Sequence, residues 1–453
     1  MAGVATDIRD VARPTPLQVE SRPRKTLPAL LRVAWPLSAW TALIAVAYVL
    51  IERLRAVGTD VKIDAAPLMG EFDVRVSSRV AGAVAVGAVV ALAGPTLTRR
   101  ARWSHLLLGG AAVAAVWAIA LASVDGGQGL TRPLEYRPEY LADVPKVGSP
   151  GVFLSMFADH IRDYGTHVQG HPPGMVLLLW GLDRLGLGGS GWAAVLCIGG
   201  GVAAVPAVLL TVREVAGEAW ARGAAPFVVL APAAIWIAST ADALYAGVSA
   251  WGVALVVLAT GRPRPRADVL AFLGGLLFGI TAFLSYGLVL LAAVPLVVAW
   301  RRGRLRPLVL AAAGALTVVL GFLAAGFWWV SGLLATRDRY FAGVGSRRPY
   351  AEFLVSNAAA FAVVLGPAFA VALTRLRDRR LWLLVGGGLL AVGIAMMSGM
   401  SKGEVERIWL PFAVWLLPVG AVLALGRRRA TSAWLGLQAG TAIVVASVVR
   451  IPW

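Results

Sequence analysis

Apolar residues run along this chain in blocks of about twenty, broken by short polar stretches. A block of that length is what an α-helix needs to cross a hydrocarbon core. Thirteen such blocks are legible, at roughly 34–52, 80–97, 104–123, 191–212, 223–240, 243–260, 268–285, 287–300, 307–330, 353–374, 381–398, 409–426 and 432–449. The pattern predicts an all-α polytopic integral membrane protein with about 13 transmembrane helices, as a single domain over 34–453. A further apolar segment, His171 to Leu187, would invert the topology if it spanned. It is read instead as a juxtamembrane or re-entrant helix, tilted by Pro172 and Pro173.

Composition supports this class. Of 453 residues 58% are hydrophobic and only 15% charged, against about a quarter charged in soluble domains. The net charge of +18 does not point to nucleic acid, because arginines cluster in short turns between apolar blocks. The turns 98–103, 262–266, 301–306, 375–380 and 427–429 carry these clusters, and arginines flanking spans stay cytoplasmic. The thirteen-span reading puts all five turns on the N-terminal side. Residues 1–33, rich in Arg and Pro, read as a disordered cytoplasmic tail. The Arg-over-Lys bias resembles that of high-GC bacteria, so the expected location is a bacterial inner membrane. The single cysteine, Cys197, excludes disulfides and thiolate metal clusters.

The opposite side then collects the loops 53–79, 124–190, 331–352 and 399–408, and chemistry is expected there. Three of the four histidines (His160, His167, His171) and the acids Glu135, Glu139, Asp143, Asp159 and Asp163 fall in loop 124–190. Asp242 lies at the turn between two apolar blocks, where a carboxylate is costly unless used or capping a helix. Lys402 and Arg407, with Arg337, Arg339, Arg347 and Arg348 beside Tyr340 and Tyr350, break the positive-inside pattern. Such clusters suit phosphate oxygens, with anionic lipid head groups as the alternative ligand. Asp159, Asp163, His167 and His171 recur every fourth residue, a spacing that would align them for a divalent metal ion if one helix ran through.

The run FADHIRDYGTHVQGHPPGMVLLLWGLDRLGLGGSGWAA, with PAAIWIASTADALY further on, resembles the first-loop signature of GT-C membrane glycosyltransferases. His171-Pro172-Pro173-Gly174 is close to the His-Pro-Pro-Leu-Gly of the protein O-mannosyltransferases, and the aminoarabinose transferases share the layout. The resemblance covers about residues 139–260. It implies an enzyme that moves a sugar from a polyprenyl-phosphate donor to a lipid, glycan or protein acceptor at the extracytoplasmic face, in cell-envelope biogenesis. It implies a carboxylate general base, here Asp143, Asp242 or Glu139, with His171, Arg407, Lys402, Tyr340, Arg337 and Arg347 binding substrate. The family's paired acids are missing, and Asp64, Glu71 and Asp73 in the first loop are rival bases. Rival functions are a polysaccharide polymerase or ligase and a flippase for lipid-linked saccharides. A non-catalytic membrane scaffold is a third.

Overall fold

The structure is a computed structural model that describes residues 30–452 apart from Ser239 and Arg427. The expected tail at 1–33 lies outside these residues except for its last four positions.

The described chain is mainly helical. It opens with α1 (Leu31–Ala56), α2 (Val80–Arg100) and α3 (Trp103–Ala122). The long loop that follows carries α4 (Pro150–Met156), α5 (Thr166–Gly170) and α6 (Gly174–Arg184). Next come α7 (Ser190–Ala216), α8 (Glu218–Val229), α9 (Ala241–Ala259) and α10 (Arg266–Leu284). α11 (Ala293–Arg301) and α12 (Arg306–Ala324) lead to a second loop with α13 (Trp329–Phe341) and α14 (Val344–Arg347). The remainder is α15 (Tyr350–Leu365), α16 (Pro367–Arg375), α17 (Arg379–Met397), α18 (Val405–Ile408), α19 (Leu410–Leu416), α20 (Ala421–Ala424) and α21 (Arg428–Val448). Two short strands pair antiparallel, with Glu71 opposite Arg450, and tie the first loop to the last helix.

Among the described residues nine helices are long and apolar enough to cross a bilayer, or ten if the bent pair α15–α16 counts as one span. The protein is therefore a multi-pass helical membrane protein. The expected count of thirteen is not reached by uninterrupted helices, because the blocks 223–240, 287–300 and 409–426 fall on short or broken segments. Pro232, Pro411 and Pro418 open the short segments, where a missing backbone donor is tolerated, so each marks a break; Pro36, Pro95 and Pro206 are carried inside long helices. The His171–Leu187 segment yields the 11-residue α6, about 16 Å long and too short to span.

Broken helices leave backbone groups that lipid cannot satisfy. At the 92° bend between α15 and α16, Gln438 supplies both partners. Its Nε2 donates to Leu365 O at 2.9 Å and its Oε1 accepts from Ala368 N at 3.2 Å. Gly366 makes the bend, at φ +79°, and Gln438 fills the space a side chain there would need. Elsewhere small residues bring helices together: Gly247 of α9 lies directly against the backbone of Gly200 in α7.

Buriedness sorts the helices. In α9 78% of the apolar window is buried inside the protein, against 11% in α12 and 17% in α1. α9 is thus central, while α1 and α12 turn most of their apolar surface outward. The arginine turns gather at one end of the bundle: Glu214 takes Arg262 and Arg302, each at 3.1 Å, and Arg222 donates to the carbonyls of Thr98 and Ala101. Loops 57–79, 123–189, 325–349 and 398–404 gather at the other.

Candidate active site

The loop end holds a buried charge cluster built from four separate stretches of chain. Its centre is Arg407 in α18. Asp242 in the first turn of α9 places Oδ2 2.9 Å from Arg407 Nη1. Glu404 Oε2 lies 2.5 Å from Nη2 and His167 Nε2 2.9 Å from the same nitrogen. On its far side His167 Nδ1 lies 2.7 Å from Glu139 Oε1. A guanidinium can only donate, so His167 Nε2 accepts, and the ring proton sits on Nδ1 facing Glu139. Three carboxyl groups therefore stand about one fixed cation and a neutral ring.

Local sequence explains each placement. Pro138 ends its turn before Glu139, and Pro138 O accepts from His167 N at 3.0 Å, clamping loop strand to loop strand. His171 Nδ1 lies 2.8 Å from His167 O, so His171 steadies the backbone of His167, and burial pulls its ring below the usual histidine range. The Tyr140 ring sits 6.1 Å from that of His167 and 5.8 Å from that of His171. Burial, reinforced by Asp242, pushes the Tyr140 hydroxyl well up. Burial alone would weaken the charge on Arg407, but Glu404, Asp242 and Glu139 more than offset it and push the guanidinium up. Burial likewise opposes ionisation of Glu404, and the Arg407 guanidinium outweighs it, holding that carboxyl low.

Glu404 is aimed by a costly backbone. It is a non-glycine residue at φ +62°, a conformation that disfavours side chains bearing Cβ. The segment is held in place around it. Asn357 donates to Ser401 O at 2.5 Å and accepts from Gly403 N at 2.9 Å, and Lys402 N donates to Tyr340 Oη at 2.9 Å. The Glu404 side chain keeps 20% exposure where that of Asp242 keeps 3%, so it marks the open side of the cluster. Glu406, fully buried, accepts from Met69 N at 2.7 Å, and burial pushes its carboxyl up to about 7.

The other residues singled out in the sequence fall elsewhere. Asp143 is buried, but Oδ2 accepts from Gly165 N at 2.6 Å and Oδ1 meets Lys146 at 2.7 Å, so both oxygens are engaged away from Arg407. Lys402 Nζ donates to Gly345 O and Arg348 O at 2.8 and 2.9 Å. Arg337 pairs with Asp338 and Arg347 with Asp60, both at exposed positions. In the first loop Asp64 pairs with Arg55 and Asp73 with Arg450, while Glu71 is exposed in the strand pair. None of these three acids is among the partners of Arg407.

Asp159, Asp163, His167 and His171 are not aligned along one helix as their spacing suggested. The four-residue rhythm from Asp159 to His171 breaks at Tyr164 and Gly165 into separate helices. His160 turns to Asp163 and His167 to Arg407. Among the described residues no group of three or more His, Cys, Asp or Glu is arranged to hold a metal. Glu404 and Tyr140 join the cluster without being among the residues singled out from the sequence. The three-residue spacing of Glu404 and Arg407 was a readable sign of their pairing.

No family model matches the chain, and no curated protein does. Among solved structures it is similar to the oligosaccharyltransferase of Archaeoglobus fulgidus complexed with Zn and sulfate, with TM-score 0.45 and 17% identity over 76% of this chain and 54% of that one. The apo form gives TM-score 0.46 and 14% identity over 77% and 56%. The complex of that enzyme, AglB, with an inhibitory peptide and a dolichol-phosphate gives 0.42 and 15% over 78% and 57%. The chain spans little more than half the length of these structures.

Proposed function

We propose that the chain is a GT-C-type membrane glycosyltransferase that moves a sugar from a polyprenyl-phosphate-linked donor to an acceptor hydroxyl at the extracytoplasmic face. One observation carries the reading: Asp242, Glu404 and His167 hold the Arg407 guanidinium at the loop end of an apolar bundle, with Glu139 behind the histidine. Ionisable groups held in such a setting are costly and are retained for use. The arginine-rich turns at the opposite end support a cytoplasmic location for that end, which leaves the cluster outside.

In the transfer, the acceptor oxygen attacks the anomeric carbon and its proton passes to a carboxylate. The bond from carbon to phosphate oxygen breaks, and polyprenyl phosphate leaves with the electron pair. Arg407 offsets the charge that grows on this phosphate, as a fixed guanidinium in a low-dielectric site does well. Asp242 and Glu404 are committed to holding Arg407. Glu139 faces a neutral ring rather than a cation, and it is the acid left to receive the proton. His171 acts through the backbone of His167 as a positioning residue.

Sugar transfer from polyprenyl-phosphate donors in membranes tests this, comparing wild type with Glu139→Gln, Asp242→Asn and Asp143→Asn. Glu139→Gln is expected to cost roughly 10²- to 10⁴-fold, the range for a general base. Asp143→Asn is expected to keep the chemistry. Undiminished transfer in both Glu139→Gln and Asp242→Asn would sink the reading.

A further inference from the structure

The short 3-10 helix Tyr140–Lys146 has three faces, because its period is three. Tyr140 and Asp143 share one face and are buried against the charge cluster and the 163–167 turn. Leu141 and Val144 share the next face. They line a separate open groove of about 800 Å³, whose opposite wall is the C-terminal end of α6 and the glycine turn before α7.

The groove has an apolar floor and a polar rim. Trp180, half-buried, forms part of its wall, and the Arg184 guanidinium lies 5.3 Å from the indole centroid. Glu135 Oε1 accepts from Ser190 Oγ at 2.5 Å across the far rim. The Asp183 carboxylate packs against Gly188, a position where any side chain would displace it. The rim thus sets two carboxylates against one guanidinium, and that guanidinium is engaged on an aromatic face. Such a surface repels a phosphate and offers strong acceptors to hydroxyl groups beside a flat aromatic wall.

We infer that this groove is a binding site for the acceptor, and that the acceptor is a neutral polyhydroxylated chain, a saccharide. The inference rests on the proposed transferase reading. An uncharged glycan would be held in the groove by hydrogen bonds to Glu135 and Asp183 and by contact with Trp180. The 140–146 helix connects the two places, with Glu139 at its start facing the cluster and Leu141 one turn-face away lining the groove. An acceptor seated along it would be kept beside the proton-accepting acid.

Saturation-transfer NMR on the full chain in phospholipid nanodiscs tests this, with neutral hexose and pentose methyl trisaccharides and with glucose 1-phosphate as probes. Wild type should show transfer to at least one neutral trisaccharide and none to the phosphate ester. Trp180→Ala and the exposed rim change Asp183→Asn should each weaken binding by about tenfold or more, while Glu139→Gln leaves it intact. Thermal unfolding identifies any variant that fails to fold, and Asp183→Asn then decides. No signal from wild type, binding of the phosphate ester alone, or unchanged binding in Asp183→Asn overturns the inference. Saccharide binding without sugar transfer would sink the transferase reading and leave the groove standing.

Discussion

Two buried arginines near the loop end make an instructive pair. Arg407 and Arg348 are each 2% exposed, yet they are satisfied in opposite ways. Arg407 is ringed by Asp242, Glu404 and His167. Arg348 donates to the backbone carbonyls of Val61, Lys62 and Lys402 and has no carboxylate within ion-pair reach among the described residues. Burial accordingly pulls the Arg348 guanidinium down, while the acids around Arg407 push it up. Carbonyl partners fix backbone, and here they pin the first loop to the segment that carries Glu404. Carboxylate partners create a charge balance that an arriving phosphate or a departing proton can shift. The first arrangement builds a scaffold and the second suits chemistry.

The strongest way to break the contrast is to remove the guanidinium itself. Arg407→Leu leaves Asp242 and Glu404 buried without a cation, and the expected loss is about 3–5 kcal/mol, read as a large fall in thermal stability of the purified protein. If Arg407→Leu is no less stable than Arg348→Leu, the two sites do not differ as described.

Arg348→Leu strands three carbonyls, one of them held only at 3.5 Å, so a loss of about 1–3 kcal/mol is expected. Limited proteolysis should show new cleavage near residues 57–63 and 399–404. Transfer should fall through displacement of Glu404 and recover in part at lower temperature, which Arg407→Leu would not do.

Glu406 supplies a pH test of the same scaffold. Its carboxyl is raised by burial to about 7, so the folded protein holds a proton that the unfolded chain releases at ordinary carboxylate values. Stability should therefore fall as pH rises from about 4.5 towards 7, by at most ~1.4 kcal/mol per unit. Glu406→Gln should flatten that slope between pH 5 and 8; an unchanged slope would show that Glu406 is not its source.

The smallest effect is expected at Arg337, which pairs with Asp338 at an exposed position. Arg337→Ala should change stability by under about 0.5 kcal/mol and leave transfer intact. A marked drop in transfer would restore it, and with it the basic cluster at 337–348, to the substrate-binding set.

Much of the architecture was legible from hydropathy alone. Membrane spans must be about twenty apolar residues long, so each of the nine long helices lies under a predicted block. The failures fall where proline interrupts a block, as at Pro411 and Pro418, since hydropathy records the oil-solubility of a segment and not its continuity. The 171–187 segment was readable as a non-span because arginine placement forbids the inversion that spanning would cause.

The site was legible only as a list. That Asp242, Arg407 and the acids of the long loop would gather at one end follows from topology, because odd and even turns alternate sides of a bilayer. Which acid faces which cation did not follow. Glu139 rather than Asp143 meets the cluster because Gly165 and Lys146 capture Asp143, and Lys402 is spent on carbonyls 54 and 57 residues away. Hydrophobic period and charge placement are local properties and can be read along the chain. The pairing of one carboxylate with one guanidinium depends on distances of a few ångströms between distant segments, and only the packed tertiary structure sets those.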